Sequence, residues 1–155
     1  MAYLDNTGFA LLTIAPAERV DEVETVAEGW LAATLGYWSS WIDARLGKRY
    51  AVPFQAPYPV AVSGWLARIV TRQLYLKLGV DPSDQQFAAI DSDAKDAMAE
   101  IKEAAEAKDG LFELPLRADA TAQGVTRGTP LGYSETSPYR WTTIQADAAH
   151  EEDSL

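Results

Sequence analysis

Two sets of side chains have types that could support acid–base or metal chemistry. The chain's one histidine, His150, lies in the acidic segment AAHEED, where a solvated side chain is expected rather than a general base. Asp91, Asp93 and Asp96 resemble the carboxylate spacing of a metal loop. A calcium loop of the EF-hand type also needs a turn glycine and a final glutamate, and neither stands at the required position. We therefore expect these aspartates to be solvated on one side of a helix.

A third set is a basic cluster formed by Arg45, Lys48 and Arg49. It could bind an anion, but phosphate sites use the N–H groups at the start of a helix, and here a helix ends. Cations at a helix C-terminus interact favourably with the negative end of the helix dipole. The cluster therefore indicates the end of a helix. With no nucleotide-binding, zinc-protease or nucleophile motif present, we predict a protein that is not an enzyme and uses no cofactor.

Composition limits the possible classes of protein. The 155 residues favour one domain, and the apolar content of 48% favours a packed core. The absence of cysteine excludes disulfides and thiolate zinc sites. The N-terminal segment has no basic region and its apolar run is too short to span a membrane, so we expect a soluble, intracellular protein.

Apolar periodicity predicts the elements that carry these residues. A stripe from Val23 through Val26, Trp30, Leu35 and Trp38 to Leu46 predicts one helix or two, because Gly29 and Gly36 interrupt it. A proline-rich elbow, 50–59, precedes a second helix over 60–78. An alanine-rich helix follows the DPSDQQ segment and extends to residue 110, and the apolar strap LFELPL occupies 111–116.

The predicted fold is all-α, a small bundle of three to four helices with an extended C-terminal arm. The predicted domain boundary separates a helical domain, 1–116, from the arm, 117–155. Aromatic residues on such an arm are typical anchors for a partner surface, although the arm could also fold back on its own core. The arm residues expected to bind a partner surface or a neighbouring copy are Tyr133, Tyr139, Arg140, Trp141 and Ile144.

Charge is distributed unevenly along the chain. Residues 1–79 carry seven acids and seven bases, residues 80–117 carry ten acids and four bases, and the whole chain has a net charge of −10. One side of the molecule is therefore expected to be basic and another acidic. The predicted basic side contains Arg45, Lys48, Arg49, Arg68 and Arg72. The predicted acidic side contains Asp93, Asp96, Glu100, Glu103 and Glu106.

The order of these segments resembles a known family. The run IDARLGKRYAVPF matches the pattern ID-x-x-L-x-x-RY-x-x-P through Ile42, Asp43, Leu46, Arg49, Tyr50 and Pro53. Tyr75 and Leu76 near the end of the second helix, and Gly110 with Leu114 after the alanine-rich helix, extend the match over roughly 36–116. The chain resembles the head-to-tail connector, or head-completion adaptor, proteins of tailed bacteriophages and the related Mu-like phage proteins of unknown function.

The resemblance implies a structural role. Members of the connector family form a ring, commonly a dodecamer, beneath the portal of the filled head, in the neck of a virion assembled in the host bacterial cytoplasm. The ring extends the DNA channel, which DNA crosses without specific binding, and docks stopper or tail-completion proteins. In a head-to-tail ring the basic side of one copy would meet the acidic side of the next.

The sequence is also compatible with two other interpretations. The acidity allows a regulatory or DNA-mimic protein, whose support is the carboxylate spacing over 91–106. Trp30, Trp38 and Trp65 allow a small enzyme or ligand carrier with an aromatic pocket, although aromatic residues at helical spacing more often form a core.

Overall fold

The periodic apolar residues form helices. The computed structural model describes residues 2–107, 111 and 113–117, and all of them belong to one compact unit. Five helices lie within these residues: α1 (Asn6–Leu12), α2 (Ala17–Val26), α3 (Trp30–Leu46), α4 (Val60–Lys77) and α5 (Gln85–Glu106). The same residues contain no strand, only an isolated antiparallel bridge between Tyr50 and Leu116. The predicted all-α bundle is confirmed.

The helix α4 is the centre of the bundle. Its most extensive packing is against α5, and it also contacts α1, α2 and α3. Apolar side chains are buried around well over half of its circumference, which is expected of a helix enclosed by neighbours. The buried apolar residues are Val62, Trp65, Leu66, Ala67, Ile69, Val70 and Leu74. The second helix predicted over 60–78 is therefore confirmed.

The helix α5 approaches α4 closely because its inner face is rich in alanine. Ala94, Ala97 and Ala104 are almost fully buried, and Ile101 is 1% exposed between them. Small side chains allow two helix backbones to come together without a gap.

The described chain has more helices than the three to four expected. The apolar lead contains α1, a seven-residue helix that begins where the Asp5 carboxylate accepts a hydrogen bond from the backbone N–H of Gly8 at 2.6 Å. The long N-terminal stripe is two helices, since Gly29 has a φ of 74°. A left-handed residue cannot continue a right-handed helix, so the chain stops and restarts at this glycine.

The same break explains one wrong prediction. Val26 was expected on the buried stripe, but it ends α2 and its side chain is 66% exposed. Trp30 and Trp38 are only partly buried. Because the chain turns at Gly29, the helical phase of α2 does not continue into α3, and Val26 at the end of α2 is left outside the core.

Tyr50 joins three segments of the fold. Its side chain is fully buried, and its hydroxyl donates a hydrogen bond to the Ala104 carbonyl at 2.9 Å and accepts one from the Leu111 N–H at 2.8 Å. Beside it, the N–H of Ala51 donates to the carbonyl of Pro115. The strap is thereby tied both to the elbow and to the end of α5.

Tyr3 and Asp43 form a second buried connection. The Tyr3 hydroxyl donates to the Asp43 carboxylate and accepts a 3.0 Å hydrogen bond from the N–H of Phe54. Burial, together with the bond to Asp43, raises the pKa of the Tyr3 phenol. Ile42, Leu46 and Tyr50 are each 0% exposed, so most of the ID-x-x-L-x-x-RY run holds α3, the elbow and the strap together.

Candidate interaction surfaces

A polar seam joins α4 to α5. The Arg68 guanidinium donates to Asp93 at 2.7 Å and to Glu100 at 2.9 Å. The other Glu100 oxygen accepts the indole N–H of Trp65 at 2.6 Å. Burial would raise the pKa of the Glu100 carboxyl, but the hydrogen bonds from Arg68 and Trp65 outweigh it and hold that pKa below its usual value.

A second part of the seam centres on Asp91. One carboxylate oxygen lies 2.6 Å from the Arg72 Nε atom and the other 2.6 Å from the Lys95 Nζ atom. Lys95 and then Arg72 lower the pKa of this carboxyl by stabilising its charged form. Asp91 is therefore held between two cations of its own chain.

The seam uses residues from both of the charged sides that the sequence predicted. Arg68 and Arg72 of the basic side form ion pairs within the chain, and so do Asp93 and Glu100 of the acidic side. The sequence placed these residues between subunits, and that role stays a prediction. The pairing was not visible in the sequence because it depends on how α4 and α5 align lengthwise.

A row of aromatic rings crosses the outer side of α3. Tyr37 and Trp38 have ring centroids 5.5 Å apart, and Trp38 and Trp41 have centroids 5.3 Å apart. The guanidinium of Arg45 lies 4.9 Å from the centre of the Trp41 ring, a cation–π contact. We call Tyr37, Trp38, Trp41 and Arg45 the α3 aromatic face.

The α3 aromatic face is partly open to solvent, and its two tryptophans also pack against the core. Tyr37 is 64% exposed, Arg45 is exposed, and both tryptophans are partly buried. Arg45 has no carboxylate partner in the described part of the chain, and the exposed Lys48 follows it after the helix end. Sequence reasoning named Arg45 and Lys48 but missed Tyr37 and Trp41. Their four-residue spacing up to Arg45 is the signal that could have found them.

The outer side of α5 is acidic. Asp96, Glu103 and Glu106 are exposed and have no ion pair within the described residues; we call them the α5 acidic face. A shallow groove on this side is lined by Glu103 and Glu106 together with Lys102, Ala99 and Ala107. The last turn of α5 contains no basic residue, so the negative helix end adds to these charges.

Other candidate sites are absent or fall outside the described residues. No group of metal-ligating side chains forms among the residues that the structure describes, and Asp91 is engaged by cations instead. Over the same residues, no helix combines the length and the apolar character needed to cross a membrane. His150 and the predicted arm residues lie outside the described residues, namely Tyr133, Tyr139, Arg140, Trp141 and Ile144.

Over the described residues the chain is a small all-α protein with one exposed aromatic face and one acidic face. The family model described as "Bacteriophage Mu, Gp36" matches residues 9–129, which is most of the chain. The chain belongs to this family and is a protein of Mu-like bacteriophages. The membership supports a structural or assembly protein of a phage. No match was found among curated proteins or among solved structures.

Proposed function

We propose that this protein is a structural head-to-tail adaptor of a tailed phage. Copies form a ring, a dodecamer, beneath the portal protein in the neck of the virion, after synthesis in the host bacterial cytoplasm. The ring extends the DNA channel and docks stopper or tail-completion proteins. In this role the protein performs no catalysis and binds no cofactor.

The observation that carries the proposal is the α3 aromatic face of a Mu-like phage protein. Tryptophan, tyrosine and arginine are the residues that dominate the energy of protein–protein interfaces. Here they lie side by side on one helix and remain exposed or half-buried in the single chain. An adaptor needs such a face, since its function is to bind neighbouring proteins.

Charge supports the passage of DNA through such a ring. The chain carries a net charge of −10, and DNA-binding proteins instead neutralise phosphates with lysine and arginine. An acidic ring repels the DNA backbone, so a duplex can slide through without being held.

The alternative of a DNA mimic is less well supported. Three carboxylates of the 91–106 stretch, those of Asp91, Asp93 and Glu100, are neutralised by cations of the same chain. Fewer carboxylates of this stretch are therefore left to imitate the phosphates of DNA. The alternative of an aromatic ligand pocket is also weakened, because Trp65 belongs to the core. Its side chain is 4% exposed and its N–H donates to Glu100.

The test is a phage in which this gene is interrupted. An adaptor is required to join head and tail, so the mutant should accumulate filled heads and separate tails, visible by negative-stain electron microscopy. Supplying the intact gene from a plasmid should restore tailed particles, and supplying the chain without 118–155 tests whether the arm anchors the ring. Normal tailed virions from the interrupted phage would refute the proposal.

A further inference from the structure

The α3 aromatic face has a cation at one end that is already positioned for a carboxylate. Arg45 is stacked on Trp41 at 4.9 Å, which restricts a flexible side chain without using any of its N–H donors. A guanidinium presented in this way loses less conformational entropy when it binds a carboxylate. The chemistry of this end of the face therefore calls for an acidic partner surface.

The α5 acidic face has the complementary property. Glu103 and Glu106 are three residues apart on one helix, and like charges at this spacing repel each other. The negative end of the helix dipole lies in the same turn, and no basic residue of that turn offsets it. Lys102 of the same chain also lines the groove beside the two carboxylates, and a further cation from another molecule would relieve the remaining repulsion. The open groove, with Ala99 and Ala107 on its surface, leaves space for an aromatic side chain.

The two faces belong to different helices. The inner sides of α3 and α5 pack against each other and against α4, and no hydrogen bond or ion pair connects the two outer faces within the described residues. A contact between one face and the other would thus be a contact between two copies of the chain. Such a contact is heterologous, so it repeats from copy to copy and closes into a ring when the rotation allows.

We infer that the α3 aromatic face of one copy docks on the α5 acidic face of the next, with Arg45 against Glu103 and Glu106 and the aromatic rings against the groove. This inference rests on the proposed function and names its subunit contact. In this arrangement, charged side chains have two different roles. The Arg68 and Arg72 pairs stabilise one subunit, while Arg45 joins subunits.

A charge swap tests the contact in the purified full-length chain. Arg45→Glu and Glu103→Arg should each raise the dissociation constant for self-association about tenfold or more, and the double variant should recover most of the loss. The matched control is Arg19→Glu with Glu28→Arg, which exchanges exposed charges near α2 and should leave association unchanged. Sedimentation velocity over a concentration series measures the constant, and circular dichroism confirms that each variant is folded.

Disulfide trapping tests the pairing directly, because the chain has no cysteine. A mixture of Trp41→Cys and Glu103→Cys chains should cross-link under mild oxidation, because Trp41 lies one turn from Arg45 on the same face. Trp41→Cys alone, or mixed with Glu28→Cys, should not. Equal cross-linking in the controls, or single charge variants that associate like the wild type, would overturn the inference, as would a wild-type chain that stays monomeric at every concentration.

These outcomes separate the inference from the proposed function. If the gene interruption blocks head–tail joining while the charge swap has no effect, the adaptor role stands and the α3–α5 contact is wrong. If the interrupted phage makes normal virions, the adaptor role falls even where the charge swap behaves as expected.

Discussion

The buried hydroxyl of Tyr50 offers a sharp test of how the strap is held. Tyr50→Phe removes one oxygen and leaves the ring in place. It deletes the 2.9 Å bond to the carbonyl of Ala104 and the 2.8 Å bond from the N–H of Leu111. Because the residue is fully buried, water cannot readily replace either partner.

The size of the effect follows from these two bonds. A net contribution of about 1 kcal/mol for each gives an expected loss of about 2 kcal/mol in the free energy of unfolding. For a chain of this length, that loss corresponds to a fall of about 4–8 °C in the melting temperature. The matched control is Tyr75→Phe on α4, a half-buried tyrosine without a hydrogen bond from its hydroxyl in the described structure.

Urea denaturation followed by far-ultraviolet circular dichroism measures the change, and hydrogen exchange at the Leu111 amide localises it. We expect Tyr50→Phe to lose stability and to expose that amide to faster exchange, with Tyr75→Phe within about 0.5 kcal/mol of the wild type. If the two variants are equally stable and the amide exchanges at the wild-type rate, the proposed role of Tyr50 is wrong.

Three further predictions concern α3 and the N-terminal segment. Glu24→Ala should cost about 1–2 kcal/mol, measured by urea denaturation, because it removes two 3.0 Å hydrogen bonds that cap the start of α3. Gly47→Ala should lower the free energy of unfolding by about 1–3 kcal/mol, since the new methyl group would lie 2.9 Å from the Asp43 carbonyl oxygen. Its control, Gly36→Ala, places the methyl group in open space and should raise the free energy of unfolding by about 0.5–1 kcal/mol. Because the pKa of Tyr3 is raised in the folded protein, the unfolded chain loses this proton first as pH rises. The free energy of unfolding of the wild type should therefore fall above about pH 10, and that of Tyr3→Phe should fall less steeply, as measured by urea denaturation at each pH. Equal slopes for the two chains would contradict that assignment.

Local patterns in the sequence predicted the elements well. Apolar spacing gave α4 and the inner face of α5, because a helix that buries one stripe must repeat its apolar residues every three to four positions. The basic cluster around Arg45 was correctly placed at the end of a helix. Gly29 was recognised as a possible break, but its φ of 74° and the cap supplied by Glu24 depend on three-dimensional structure.

Contacts between elements were not predictable in the same way. Whether Arg68 meets Asp93 and Glu100 depends on the alignment of α4 with α5, and no local pattern determines that alignment. Tyr3 bonds to Asp43 across 40 positions of sequence, a pairing that only the folded chain creates. The α3 aromatic face was predictable only in part. The four-residue spacing of Tyr37, Trp41 and Arg45 can be read from the sequence, but their exposure to solvent depends on how the helices pack.

The central claim is that this chain assembles with copies of itself in the neck of a phage particle. Cryo-electron microscopy of the virion neck at residue resolution tests it most directly. We predict a closed ring of this chain beneath the portal, with the α3 aromatic face of each copy against the α5 acidic face of the next. A neck that lacks the chain, or a ring in which both faces are open to solvent, would contradict the account.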